Sequence, residues 1–151
     1  MNLTGFISAL LIICLVFSCN EQQNPPAPEK NLPKTNSTNC YRYITNKDTV
    51  ILKMTDANGI VSGTLFYNIY QKDKNSGTIQ GKIKGDLLIA DYSFNSEGVT
   101  SLRQVAFKKT GNTFIEGYGE SVEENGKMNF KNADSLDFSH SFKLVAYDCE
   151  N

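Results

Sequence analysis

The chain has 151 residues, no tryptophan, one histidine (His140) and no proline after Pro33. One His and no Cys pair at zinc-ligand spacing leave little material for a zinc site or a His-based triad. Neither charge is in excess: 15 Lys and Arg oppose 16 Asp and Glu, for a net charge of −1. Without a basic surplus, nucleic acid is not expected as a partner. There is no Gly-x-Ser-x-Gly elbow and no Walker loop, so the chain is not read as an enzyme and no cofactor is expected. No apolar run reaches the roughly 20 residues that a spanning helix needs. What remains is 40% apolar and 21% charged, enough to fold, and the length suits one domain.

Residues 6–17 read F-I-S-A-L-L-I-I-C-L-V-F, a mostly apolar stretch of secretory h-region length. Val16-Phe17-Ser18-Cys19 resembles a bacterial lipobox, with an aliphatic residue at −3, a small one at −1 and Cys at +1. Phe17 at −2 and an n-region without Lys or Arg depart from that pattern. The resemblance implies that residues 1–18 are a signal peptide and that Cys19 is lipidated, with palmitate among the acyl groups. The bilayer would then be a partner through acylated Cys19. Asn20 rather than Asp after the Cys points, by the same resemblance, to the cell envelope and its outer membrane. Residues 19–39 hold all four prolines and few apolar residues, so they read as an extended tether.

With Cys14 in the signal and Cys19 acylated, Cys40 and Cys149 are the two thiols left. An oxidising compartment favours pairing them. From residue 40 onward the chain has ten glycines and no proline. Short alternating runs are separated by Asn, Asp and Gly turns, predicting strands at 40–45, 49–55, 60–70, 78–84, 87–94, 99–109, 113–120, 122–131 (with an inner turn) and 141–147. Residues 132–140 allow one helical turn. Sequential hairpins favour an all-β, antiparallel up-and-down barrel of 8–10 strands, lipocalin-like, over residues 40–151; a β-sandwich is the alternative.

Several motifs are similar to those of a family of small, uncharacterised bacterial lipoproteins. They include Cys40-Tyr41-x-Tyr43, Gly63-x-Leu65-x-Tyr67, Gly77-Thr78-Ile79-x-Gly81-x-x-x-Gly85-Asp86-Leu87 and Glu116-Gly117-Tyr118-Gly119-Glu120. The resemblance implies an address and a fold and brings no activity with it.

Period-2 alternation puts Asp91 with Leu87 and Ile89, Arg103 with Val105 and Phe107, and Glu116 with Phe114 and Tyr118. If those faces point inward, Arg103 and Glu116 are expected to pair across adjacent strands, since a lone buried charge is costly. Candidate ligand-binding residues are therefore Tyr67, Asp91, Tyr92, Arg103, Phe107, Glu116 and Tyr118, with room left by Gly81, Gly117 and Gly119 if these face inward. The expectation is a monomer that binds a small ligand or an envelope protein. A structural or inhibitory lipoprotein with a filled core is the alternative. The same alternation is also satisfied by a polar outer face around a packed core.

Overall fold

A computed structural model describes residues 37–96 and 98–150. The signal, Cys19 and nearly all of the tether lie outside the described residues. Ten strands follow in order: β1 (Thr38–Ile44), β2 (Thr49–Ala57), β3 (Ile60–Asn68), β4 (Asn75–Lys84), β5 (Leu87–Ser96), β6 (Val99–Thr110), β7 (Thr113–Gly117), β8 (Ser121–Glu124), β9 (Lys127–Phe130) and β10 (Lys143–Tyr147). A 3₁₀ turn, Ala133–Ser135, lies between β9 and β10.

Eight strands close into an antiparallel up-and-down barrel. Each of β1 to β6 pairs with the next, β7 folds back on β6, and β10 completes the circle between β7 and β1. The β8–β9 hairpin stands apart: β9 runs parallel to β6 through Leu102–Lys127 and Arg103–Met128, beyond the point where β7 leaves. Turn chemistry fixes the hairpins locally. Asn58-Gly59 and Asn125-Gly126 both take positive φ at the two central positions, the conformation whose twist suits a two-residue hairpin. Asp56 Oδ1 accepts the Gly59 N–H at 2.7 Å and braces the first of them.

Alternation sets the core. Val50, Leu52 and Met54 of β2, Leu65 of β3, Ile79 of β4, Leu88, Ala90 and Tyr92 of β5, Phe107 of β6, Phe114 of β7 and Leu144 of β10 are buried. Gly63 and Gly77 share that inner face because neighbouring backbone passes too close for a side chain. A Cβ at Gly63 would collide with the Lys53 carbonyl, and one at Gly77 with the Ser93 carbonyl. The polar stretch 75–77, expected in a turn, therefore joins β4 and pairs with β3. The strand expected to reach residue 120 stops at Gly117, where the chain turns out to β8.

Turns 58–59, 85–86 and 111–112, with the start of β1 and the end of β10, gather at one pole. Segments 45–48, 69–74 and 131–142 lie toward the other pole. At the first pole Cys40 and Cys149 form a disulfide, Cα–Cα 5.3 Å, across 109 residues of chain. The β10 seam is short on both sides, pairing only Cys40–Arg42 with Val145–Tyr147 and Lys143–Val145 with Thr113–Ile115. Replacing both cysteines by Ser is expected to cost about 4 kcal/mol of unfolding free energy, from loop closure. Denaturant unfolding measures that loss, and hydrogen exchange should show β10 amides opening before those of β2 and β3.

Candidate functional site

Toward the pole away from the disulfide, the barrel interior turns polar. Tyr67 is the last residue but one of β3, Arg103 sits in the first half of β6 and Glu116 in the last part of β7, each on an inward register position. Glu116 is only 3% exposed. Tyr67 donates its hydroxyl hydrogen to Glu116 Oε1 at 2.7 Å, while Glu116 Oε2 is buried without a hydrogen-bond partner in the protein. The Arg103 Nε–H is likewise buried and unpartnered. The Arg103 guanidinium carbon lies 5.4 Å from the Tyr67 and Phe94 ring centres and 5.6 Å from that of Tyr92. Three rings thus share its charge by cation–π attraction. Tyr92 is fixed in turn by donating to the Leu65 carbonyl at 3.0 Å.

The barrel wall opens beside this cluster. The β6–β7 ladder stops at Ala106–Gly117, and β9 takes up β6 again at Arg103. Between them lies a cleft of about 260 Å³ whose walls include Arg103, Val105, Glu116, Tyr118, Met128 and Phe130. Two outer contacts hold the hairpin that supplies Met128 and Phe130. Lys127 Nζ donates to both Asp91 carboxylate oxygens at 3.0 and 3.1 Å, and the Phe130 N–H donates to Gln104 Oε1 at 3.0 Å.

The expected site residues therefore divide. Tyr67, Tyr92, Arg103, Phe107 and Glu116 occupy inward positions, and Tyr118 stands at the cleft, 45% exposed. Tyr92 and Phe107 are wholly buried in core packing, against Phe94 and Phe114 respectively. Asp91 belongs to the outer face: alternation with the buried Ala90 and Tyr92 turns it away from the lumen, and it clamps the hairpin instead. Arg103 and Glu116 do not pair. The register sets Phe107 opposite Glu116, and no Arg103 nitrogen lies within 4.0 Å of a Glu116 carboxylate oxygen. Nor do the glycines make room. A Cβ at Gly117 would come within 2.5 Å of the Phe138 ring on the outside, one at Gly119 within 2.8 Å of Leu136, and one at Gly81 would strike β5. Met128, Phe130 and Gln104 join the site unforeseen; the only sequence signal for them is the Asn125-Gly126 turn that folds β9 back along β6.

Burial raises the Glu116 carboxyl above its ordinary value of 4.5; the Tyr67 hydrogen bond, the Tyr118 hydroxyl and the Arg103 charge act in the opposite direction. The Tyr118 hydroxyl acts on Glu116 as a hydrogen-bonding neighbour, although no bond from it to Oε2 falls within 3.5 Å. Burial, and next the Glu116 charge, push the Tyr67 phenol well above its usual range, so it remains a donor.

A carboxyl whose folded value is raised binds its proton more tightly in the native than in the unfolded state. Its contribution is then fully present below the unfolded value and lost as pH rises through the folded one. Urea unfolding from pH 4 to 8 is expected to show Glu116→Gln gaining stability relative to wild type as pH rises. Tyr67→Phe should cost about 1.5–3 kcal/mol where Glu116 is ionised and about 0.5–1.5 where it is neutral. A pH-independent difference for both variants would refute the assignment.

No family model, curated protein or solved structure matches the chain.

Proposed function

We propose that the protein is a lipid-anchored lipoprotein of the cell envelope, held by acylated Cys19, whose barrel binds a small ligand in the cleft between β6, β7 and β9. The observation that carries the binding half is the cleft lined by Arg103 and Glu116, beside a buried Glu116 carboxyl whose Oε2 accepts no hydrogen bond within 3.5 Å. A purely structural barrel gains nothing from such a group, since an unsatisfied buried acceptor costs about 1–3 kcal/mol. The address rests on the lipobox-like Val16-Phe17-Ser18-Cys19 and the Pro-rich stretch that follows. Two or more acyl chains anchor firmly where one holds marginally.

A second reading, a structural or inhibitory lipoprotein that meets a protein partner, draws on the outer surface of β4, β5 and β6. There Leu87 and Ile89 floor a shallow depression of about 330 Å³ edged by Lys82, Lys84 and Asp91.

Intact mass of the membrane-extracted protein tests the anchor: wild type should carry an acyl increment that Cys19→Ala lacks, and equal masses apart from the substitution would remove the envelope reading. A ligand-observed NMR fragment screen of full-length wild type against Ser121→Trp tests the cleft. Ser121 is exposed and borders it, so Trp fills the space without entering the core. Fragments should bind wild type and lose at least tenfold in affinity on the variant; fragments that do not distinguish the two would favour the second reading.

A further inference from the structure

Accepting the cleft as a binding site, the charge it presents narrows what it takes. Arg103 lines the cleft and is part-exposed. Its Nε–H is enclosed. Its terminal nitrogens, Nη1 and Nη2, are not shut off from solvent, and neither donates a hydrogen bond to a described residue within 3.5 Å. The ion pairs among the described residues use Lys108, Lys127 and Lys131, and no carboxylate oxygen lies within 4.0 Å of an Arg103 nitrogen. The Tyr67, Tyr92 and Phe94 rings flank the guanidinium, but ring faces leave its in-plane N–H donors without acceptors. A guanidinium meets a carboxylate through two parallel N–H···O bonds, and such charge-assisted bonds are roughly twice as strong as neutral ones.

Charge count and size narrow it further. Among the described side chains that line the cleft, Arg103 is the only cation and Glu116 the only carboxyl. One guanidinium balances one negative charge. A phosphate monoester, at about −1.5 to −2 near neutral pH, would leave part of its charge without a counter-charge beside Glu116. A cation would meet like charge at Arg103, and Glu116 Oε2 is too enclosed to answer it. The volume of about 260 Å³ falls below the roughly 300–1,000 Å³ of pockets for drug-sized ligands. It suits a single ring or a short branched chain rather than a lipid chain. Val105, Met128 and Phe130 offer that body an apolar wall.

We propose that the cleft binds a small monocarboxylate with an apolar body, its carboxylate held by the terminal nitrogens of Arg103 and its body against Val105, Met128 and Phe130. The Tyr67 hydroxyl ties Glu116 Oε1, and no Glu116 oxygen comes within 4.0 Å of an Arg103 nitrogen, so the guanidinium donors are left for a ligand. The Asp91–Lys127 contact braces the hairpin that carries Met128 and Phe130.

The test uses isotope-labelled full-length protein in non-ionic detergent at pH 7.5, titrated with four probes of similar shape and different charge: benzoate, neutral benzamide, cationic benzylamine and phenyl phosphate. Benzoate should shift the amide resonances of Val105, Gly117 and Met128, and the other three should bind at least tenfold more weakly. Arg103→Lys keeps the charge but loses the planar fork, and Ser121→Trp fills the cleft. Each should weaken benzoate tenfold or more while the remaining resonances hold their positions. Any of the other probes binding as tightly as benzoate, or benzoate binding indifferent to either variant, would overturn the proposal. The probe series is read on wild type alone, so it decides even where a variant fails to fold. Cleft-specific fragments from the screen above, with no benzoate shifts, would overturn the carboxylate assignment and leave the binding site standing. Absence of both benzoate and fragment binding would remove the site as well.

Discussion

Closure of the barrel at β10 is the constraint on which the rest depends. Seven strands arise from consecutive turns, but the eighth must return from beyond an inserted hairpin and a 3₁₀ turn to lie between β7 and β1. Its two ladders are the shortest closing contacts of the circle. Closure joins residues about as far apart in sequence as the domain allows, and such pairing carries the largest chain-entropy cost. The Cys40–Cys149 disulfide sits at this seam. The buried side chains of β7 and β10, Phe114 and Leu144, owe their burial to it.

Closing a sheet also fixes what the lumen may hold. An eight-stranded barrel is just wide enough for side chains to fill, and here they fill the half nearer the disulfide. The other half also holds Tyr67, Arg103 and Glu116, among apolar side chains such as Val50 and with rings around the guanidinium. The polar atoms there outnumber their partners within the protein. The wall opens beside them because β7 is five residues long against twelve in β6. A shorter strand beside a longer one exposes the excess, and β9 covers only part of it.

The sequence made the strands legible because alternation and turn residues are local signals. Asn58-Gly59 marks its hairpin, and Val50, Leu52 and Met54 mark their face, without reference to anything distant. Which face is inner is not local. Asp91 has apolar companions in Leu87 and Ile89, as Glu116 has in Phe114, yet one lies outside and the other within. Both faces of β5 carry enough apolar residues to pass as core. The Arg103–Glu116 expectation failed on register: the two-residue turn at Gly111-Asn112 sets Phe107, not Arg103, opposite Glu116. Gly117 and Gly119 deceived for a related reason. Their missing side chains accommodate Phe138 and Leu136 from the returning segment, not space in the lumen.

Both ends of the described barrel meet at one pole, where β1 begins and β10 ends. The disulfide fastens the start of β1 to the chain just beyond β10. Pulling on the residues before β1 therefore loads a covalent link between neighbouring strands and spares the hydrogen-bond ladders elsewhere. The cleft, toward the opposite pole, lies on the far side of that attachment. The first described residues thus enter the barrel at the pole with the disulfide, at the other end from the residues that line the cleft.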